Sequence, residues 1–208
     1  MPLQNRVDPF GNIHAVNARG TVMGNRGGRI HDPATKTLNK RYASKRWIAC
    51  VCVFRGRQRN VMSASYTELF FLDEVTAFAA GHRPCAECRR QDFKRFSQLW
   101  CEAFGLETLP KADDMDEVLH RERCVSGVGT TILSSDDLAD LPDGTIVALD
   151  GTPYAMKSHE FLPWKFDGYS APAKRSELRG SHLELLTPPC IVKVFRQGYR
   201  PAFHHSAT

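Results

Sequence analysis

The amino-acid sequence predicts an α+β fold on the strength of three patterns. Residues 47–54, WIACVCVF, are dense in apolar and β-branched side chains, which is typical of a buried strand. Five large apolar residues recur at helical spacing further along: Phe93, Phe96, Leu99, Trp100 and Phe104. Near the C terminus, Asp-Gly pairs at 143–144 and 150–151 flank a short apolar run, which indicates a β-hairpin. A chain that holds helices and strands in separate stretches belongs to the α+β class.

The composition is typical of a folded protein without a membrane span. The chain has 208 residues, enough for one sizeable domain or for a compact domain with a small satellite. It contains no run of about 18 apolar residues, and its first residues lack the apolar core of a signal peptide. We therefore expect a cytoplasmic protein. Seven cysteines, an odd number, favour metal binding or free thiols over a disulfide framework.

Positive charge is concentrated at the N-terminal end. Residues 1–60 hold 12 Lys and Arg against two acids, whereas the rest of the chain holds 16 Lys and Arg against 21 acids. A basic segment of this kind attracts polyanions, above all nucleic acid, through phosphate contacts. The same segment can instead pack against the acidic remainder of the chain.

The N-terminal third is expected to form strands and loops. Residues 1–32 predict short strands, and within them residues 24–29, GNRGGR, predict a glycine-rich basic loop. Such a loop either offers N–H groups and arginines to a phosphate or is a flexible turn with solvated arginines. Residues 33–46 predict an exposed basic connection. After the strand at 47–54, a short turn predicts a return strand over residues 59–64.

Three helices are expected next. The first runs from Leu72 to about Ala80, with Asp73 as its N-cap and Gly81 as its stop. The second runs from Glu87 to about Phe104 and carries the apolar stripe. The third covers residues 113–124, with acids at its start and arginines near its end, as the helix dipole favours.

The C-terminal part is expected to be rich in strands. A hairpin is predicted over residues 145–157, and the aromatic stretch 161–168 is interpreted as a loop. A short helix is predicted from Thr187, as its cap before two prolines, to Gln197. The predicted divisions are a core over residues 1–125, a link over residues 126–140 and a small β-rich subdomain over residues 141–208, which can together form one domain.

The most informative motif is the pair Cys85 and Cys88, which are separated by two residues. Two thiolates at this spacing on a tight turn can bind one zinc ion, whose tetrahedral protein sites take about four ligands. The turn is flanked by His82 and several arginines, a polar setting that favours metal binding over two cysteines that only pack. The sequence therefore predicts a zinc-binding turn, here called the knuckle (residues 85–88).

The segment around the knuckle resembles a known metal-binding domain. Residues 66–89, YTELFFLDEVTAFAAGHRPCAECR, are similar to the second half of the Ada-type domain, which has an aromatic strand, a short Ala-rich helix and a Gly-aromatic-Arg-Pro-Cys-x-x-Cys motif. The matching residues are Phe70, Phe71, the helix from Asp73, Gly81, Arg83, Pro84, Cys85 and Cys88. With Cys50 included, the similarity extends over about residues 47–90. It implies a zinc ion held by four thiolates, one of which accepts a methyl group from a DNA phosphotriester.

Candidates for the other ligands lie on both sides of the knuckle. Cys50 and Cys52 share one face of the predicted strand, but on a flat strand they lie far apart for one ion, so the backbone would have to bend. His120 and Cys124, four apart on the third helix, face the same side and can chelate together. His82 is a further candidate donor.

A group of arginines near the knuckle predicts contact with nucleic acid, because arginine binds phosphate through paired hydrogen bonds. The candidate residues are Arg55, Arg57, Arg59, Arg83, Arg89 and Arg90. We therefore interpret the chain as a zinc-binding cytoplasmic protein with a structural zinc site and an association with nucleic acid. One alternative is an enzyme, either a thiolate methyl acceptor or a metal-dependent nuclease with His82 beside the knuckle. The other is a structural or interaction protein that holds no metal.

Overall fold

Two six-stranded β-sheets, the first mixed and the second antiparallel, lie with four α-helices in the described part of the chain, so the predicted α+β class is confirmed. The structure is a computed structural model that describes residues 1–58, 60–124, 131–134, 137–173 and 183–208. Much of the predicted link, and the candidate residue Arg59, lie outside the described residues.

The first sheet carries the candidate metal site. Its strands are β1 (Arg6–Val7), β2 (Ile13–His14), β3 (Val22–Arg26), β4 (Trp47–Val51), β5 (Leu69–Phe71) and β6 (Arg83–Pro84). They lie side by side in the order β2-β1-β5-β3-β4-β6. The antiparallel partner of β4 is β3, and residues 60–64 form turns and bends, so the predicted return strand is wrong there.

Strand β3 occupies the first half of the predicted glycine-rich loop. Gly24 lies inside the sheet, where a Cβ would be 2.3 Å from the Ile48 carbonyl oxygen and 2.9 Å from the Phe71 side chain. Arg26 is in register with Trp47 and is 1% exposed, so the expectation of a solvated arginine is wrong at this position. Glycine is needed here for a close approach of strands rather than for a loop.

The helices are α1 (Glu74–Ala79), α2 (Arg90–Phe104), α3 (Ala112–Cys124) and α4 (Pro189–Arg196). Asp73 caps α1 as expected, because its carboxylate accepts the Thr76 N–H at 2.8 Å. Helix α2 begins later than predicted because the knuckle turn comes first. Thr187 does not cap α4; its hydroxyl accepts the Ile146 N–H at 2.8 Å, and Pro188 is the N-cap. No described helix has both the length and the apolar character needed to cross a membrane.

The second sheet forms the C-terminal part. Its strands are β7 (Thr131–Ile132), β8 (Ile146–Leu149), β9 (Thr152–Lys157), β10 (Glu160–Lys165), β11 (Gly168–Tyr169) and β12 (Leu183–Leu185), in the order β11-β10-β9-β8-β12-β7. A single 3₁₀ turn, Asp137–Asp140, precedes β8. The predicted hairpin is the antiparallel pair β8 and β9. The loop predicted at 161–168 is wrong, because β10 pairs with β9 even through Pro163.

Helix α1 lies in the middle of the molecule, and all six of its residues are buried. Ala77 packs in the core of the first sheet, Val75 packs against the second sheet, and Phe78 packs against α2, α3 and α4. Because α4 contributes to the same apolar cluster as α2 and α3, the N-terminal and C-terminal parts share a continuous core.

Asp73, at the start of α1, is bonded to the C-terminal part of the chain. Its carboxylate accepts the Tyr169 hydroxyl at 2.9 Å and the His204 N–H at 2.9 Å, besides the N–H and hydroxyl of Thr76. Trp164 in turn donates its ring N–H to the Thr76 hydroxyl at 3.0 Å. The residue that caps α1 thus also fixes β11 against that helix, and Thr76 does the same for β10.

Glu74 makes a second set of buried contacts. Its carboxylate accepts hydrogen bonds from the Tyr199 hydroxyl at 2.8 Å and the Ala202 N–H at 2.9 Å. It also pairs with Arg89 at 2.6 Å, directly after the knuckle. The C-terminal residues and the start of α2 are therefore held by one buried carboxylate.

Replacing Asp73 tests the role of this cap. We expect Asp73→Ala to lower the free energy of unfolding by about 3 kcal/mol or more, since a helix cap is lost and buried donors are left without an acceptor. Asp167→Ala, at an exposed turn, is the matched control and is expected to change it by less than about 0.5 kcal/mol. Urea denaturation measures both, and equal effects would contradict the proposed role.

Candidate metal centre

Three cysteine sulfurs converge on the outer part of the first sheet. The Sγ atoms of Cys50, Cys85 and Cys88 all lie within 4.8 Å of one another. Sulfurs bound to one tetrahedral zinc lie roughly 3.8 Å apart, given a Zn–S distance of about 2.3 Å. The three side chains therefore form a group that can hold a metal ion after a small contraction. We call them the three-sulfur group.

Backbone pairing explains why these cysteines meet. Strands β4 and β6 run parallel, with Ala49 in register with Pro84, so the next residues, Cys50 and Cys85, lie side by side. The Cys85 N–H donates to the Ala49 carbonyl at 2.9 Å, which fixes this register at the start of the knuckle. The turn then brings Cys88 back over the same place.

The sulfurs influence one another's protonation. A hydrogen bond from Cys50 lowers the pKa of Cys85 to about 5, with further help from the N–H groups of Cys88 and Glu87. The same thiol lowers the pKa of Cys88, and these contacts raise the pKa of Cys50 itself. Thiolates are the form of cysteine that binds metal, so a lowered pKa at both knuckle cysteines favours metal binding.

Cys52 packs against the three-sulfur group but does not belong to it. Its thiol donates to the Thr21 carbonyl at 3.3 Å. Strand β4 ends at Val51, and two residues of extended chain cover about 6.6 Å, more than a common ion allows without a bend. The geometry thus supports the predicted partnership of Cys50 with the knuckle. It gives no such support to the prediction of Cys52 as a ligand.

The other predicted ligands lie elsewhere. His82 is fully buried on the opposite face of the sheet, with its ring 5.1 Å from that of Trp47 and 4.6 Å from that of Phe71. His120 lies on α3 and packs against Tyr42, and Cys124 is the last residue of the same helix. Within the described residues, none of the three joins the three-sulfur group. At this position His82 cannot act as a general base beside the knuckle.

Two of the predicted phosphate-binding arginines serve the fold instead. Arg83 is 3% exposed and binds both carboxylate oxygens of Asp116, at 2.9 and 2.7 Å. Arg89 pairs with Glu74 and with Asp92, at 2.6 and 2.8 Å. Their assignment to a nucleic-acid surface is corrected by these contacts, since their charges are neutralised inside the protein.

The remaining described arginines of that set are exposed beside the knuckle. Arg55 and Arg57 lie on the loop after β4, with their guanidinium carbons 4.9 and 5.3 Å from the centre of the Phe54 ring. Arg57 also pairs with Glu87 of the knuckle at 2.9 Å. Arg90 begins α2 and is exposed.

The structure also assembles a cationic group that no sequence pattern had indicated as a unit. The guanidinium carbons of Arg26 and Arg123 lie 4.1 and 4.0 Å from the centre of the Trp47 ring. The two arginines are far apart in the chain, so no local spacing could have joined them. The one available signal was the position of Arg26 within a basic, glycine-rich stretch.

The buried ion pair of Arg83 is tested by substitution. We expect Arg83→Met to lower the free energy of unfolding by about 3–5 kcal/mol, because the Asp116 carboxylate is left buried without its partner. The double variant Arg83→Met/Asp116→Leu should recover most of this loss. Arg90→Met, on the exposed start of α2, is the control. Guanidinium denaturation checks the series, and an Arg83→Met protein as stable as the control would contradict the assignment.

Comparison with protein families, with curated proteins and with solved structures finds no match to this chain. The functional conclusion therefore depends on the chemistry of the residues described above.

Proposed function

We propose that the protein binds one zinc ion through Cys50, Cys85 and Cys88, and that the ion is structural. The convergence of three sulfurs within 4.8 Å carries this proposal. Soft thiolate ligands select zinc over the hard cations magnesium and calcium, and an all-sulfur site is typical of structural zinc. The similarity of residues 66–89 to the Ada-type domain supports the same ligand chemistry.

Cys52 is the proposed fourth ligand. It packs beside the three-sulfur group at the point where β4 gives way to an exposed loop, so a bend after Val51 can bring it to the ion. Four thiolates close the coordination shell, which is the arrangement of a structural site. A water molecule in the fourth place would instead leave the open position that zinc enzymes use.

A structural role follows from the elements that the ligands join. Strand β6 has two residues, and the knuckle separates it from α2. A metal ion bound to Cys50 and to the knuckle would fasten β6 and the start of α2 to β4. Because β6 is too short for a long hydrogen-bond ladder, the bonds to the metal ion would hold this edge of the sheet instead.

Zinc content is the direct test. We expect purified protein to contain about one zinc per chain, and Cys85→Ser and Cys88→Ser to lose most of it and to unfold at least 5–10 °C lower. Cys101→Ser is the matched control, because the Cys101 thiol donates to the Leu106 carbonyl, away from the centre. Plasma mass spectrometry and thermal denaturation give the two readouts.

Two outcomes of this experiment would contradict the proposal. One is the absence of zinc in wild-type protein that was reconstituted with zinc under reducing conditions. The other is full zinc content in Cys85→Ser. The variant Cys52→Ser separates the two forms of the site: loss of affinity supports a closed shell, whereas unchanged affinity assigns the fourth position to another ligand.

A second candidate function is association with nucleic acid, and the exposed loop beside the metal centre favours it. Arg55 and Arg57 both lie against the Phe54 ring, so a cationic and aromatic surface projects from the end of β4. Arginine binds phosphate, and an aromatic ring can stack on an unpaired base. Against this, Lys45 and Arg46 pair with Glu117 and Asp113 of α3, so part of the basic segment faces the acids of the chain itself.

This association predicts a salt-dependent affinity for DNA or RNA. The double variant Arg55→Gln/Arg57→Gln is expected to weaken binding and to reduce the slope of log K against log salt by about two. Arg196→Gln, at an exposed position of α4, is the control: it removes one positive charge by the same substitution, away from the loop. Fluorescence anisotropy with labelled single-stranded and duplex oligonucleotides measures the affinity. Undetectable binding at low salt would rule the candidate out.

A further inference from the structure

A cavity of about 450 Å³ lies on the face of the first sheet opposite the metal centre. Trp47 lines it, and Trp47 and Cys50 are three residues apart on β4, so their side chains point to opposite faces of the sheet. The other walls come from the loop after β1, the end of α1, the end of α3 and strand β12. The volume lies in the range of small-molecule sites, roughly 300–1,000 Å³.

Buried nitrogens without a hydrogen-bond partner are concentrated around Trp47, and of the described side chains that carry them, that of Arg123 lines the cavity. In the described part of the chain they are Arg26 Nε, Arg123 Nε, both ring nitrogens of His82, and His120 Nδ1. Three of these four side chains contact the Trp47 ring directly, and His120 reaches it through Tyr42. Buried polar groups in proteins are nearly always satisfied, so a cluster of this kind needs an explanation.

Two arginine side chains lie against the ring of Trp47. The side chain of Arg26 is buried, with 1% of its surface exposed, yet it forms no ion pair with any described carboxylate. Burial, followed by the nearby charges of Arg123 and Arg41, lowers the pKa of Arg26 to about 9. Arg123 and Arg41 themselves line the cavity. An oxyanion in the cavity would offer an acceptor and a negative charge to Arg41 and Arg123.

We propose that this cavity binds a small organic anion whose carboxylate or phosphate faces Arg41 and Arg123. Its apolar body lies against Phe10, Leu185 and Pro188, which line other parts of the wall. The carboxylates Glu122 and Glu184 also line the cavity, and Glu122 accepts the Cys190 N–H at 3.1 Å. Because like charges repel, the head group of the ligand lies on the side of the arginines rather than beside Glu122.

The proposal is independent of the zinc site, and its test uses the whole 208-residue chain, prepared with zinc under reducing conditions. Phenyl phosphate, benzoate and benzyl alcohol share an aromatic body and differ in the head group, and inorganic phosphate lacks the body. At equal ionic strength, we expect one or both aromatic anions to raise the melting temperature by about 5 °C at a hundred times their dissociation constant. The anion that binds more tightly identifies the head group. Benzyl alcohol should leave the melting temperature unchanged.

Arg41 provides the decisive variant, because it is exposed, lines the cavity and can be changed without opening the core. We expect Arg41→Gln to raise the dissociation constant of the aromatic anion about tenfold, since a charge-assisted hydrogen bond is lost. Lys40→Gln removes the same charge from the neighbouring position, outside the cavity, and should change it less than about twofold. Isothermal titration calorimetry measures both constants.

Three results would overturn the proposal. The first is that neither aromatic anion binds, or that benzyl alcohol binds as tightly. The second is an equal loss of affinity in Arg41→Gln and Lys40→Gln, which would reveal attraction to the general positive charge of the segment. The third is inorganic phosphate binding as tightly as phenyl phosphate when benzoate does not bind, which would show that the apolar wall takes no part.

Discussion

The fold depends on the burial of one short helix and of the two carboxylates at its start. Six residues are far too few for a helix to be stable alone in water, so α1 exists because every side of it is covered. Burying Asp73 and Glu74 is costly unless their oxygens are satisfied, and the partners come from distant parts of the chain, such as Tyr169 and Tyr199. Arg89, bound to Glu74, extends these contacts to the residue next to Cys88. The two sheets and the metal centre therefore share one buried polar junction.

Local patterns in the sequence predicted the parts of the structure that depend on neighbouring residues. The Asp73 cap, the hairpin of β8 and β9 and the cysteine spacing of the knuckle are of this kind. The pairing of β4 with β3 is not, because it brings together strands separated by a long connection whose sequence carries no register signal. Strand β10 was missed because an aromatic stretch with a proline is not typical of a strand, yet Pro163 is itself in register with Tyr154 of β9.

The charge of the N-terminal segment shows a related limit. A count of basic residues predicted a surface for polyanions, and the structure divides those residues among several environments. Arg83 is neutralised by Asp116 on α3, Arg26 lies in the core beside Trp47, and Arg55 is exposed. Sequence gives the number of charges, whereas burial and pairing determine which of them can meet a partner. The approach of Cys50 to the knuckle was likewise beyond local patterns. The parallel register of β4 and β6 places Cys50 beside Cys85, and the spacing of cysteines in the sequence does not determine that register.

Strand β4 carries Cys50 of the three-sulfur group on one face and Trp47 on the other. Adjacent residues of a strand alternate between faces, so the odd separation of Trp47 and Cys50 is what keeps the two sites apart. Inserting or deleting one residue between them would turn one of the two side chains to the wrong side of the sheet. The number of residues between Trp47 and Cys50 is therefore fixed for as long as both faces are in use.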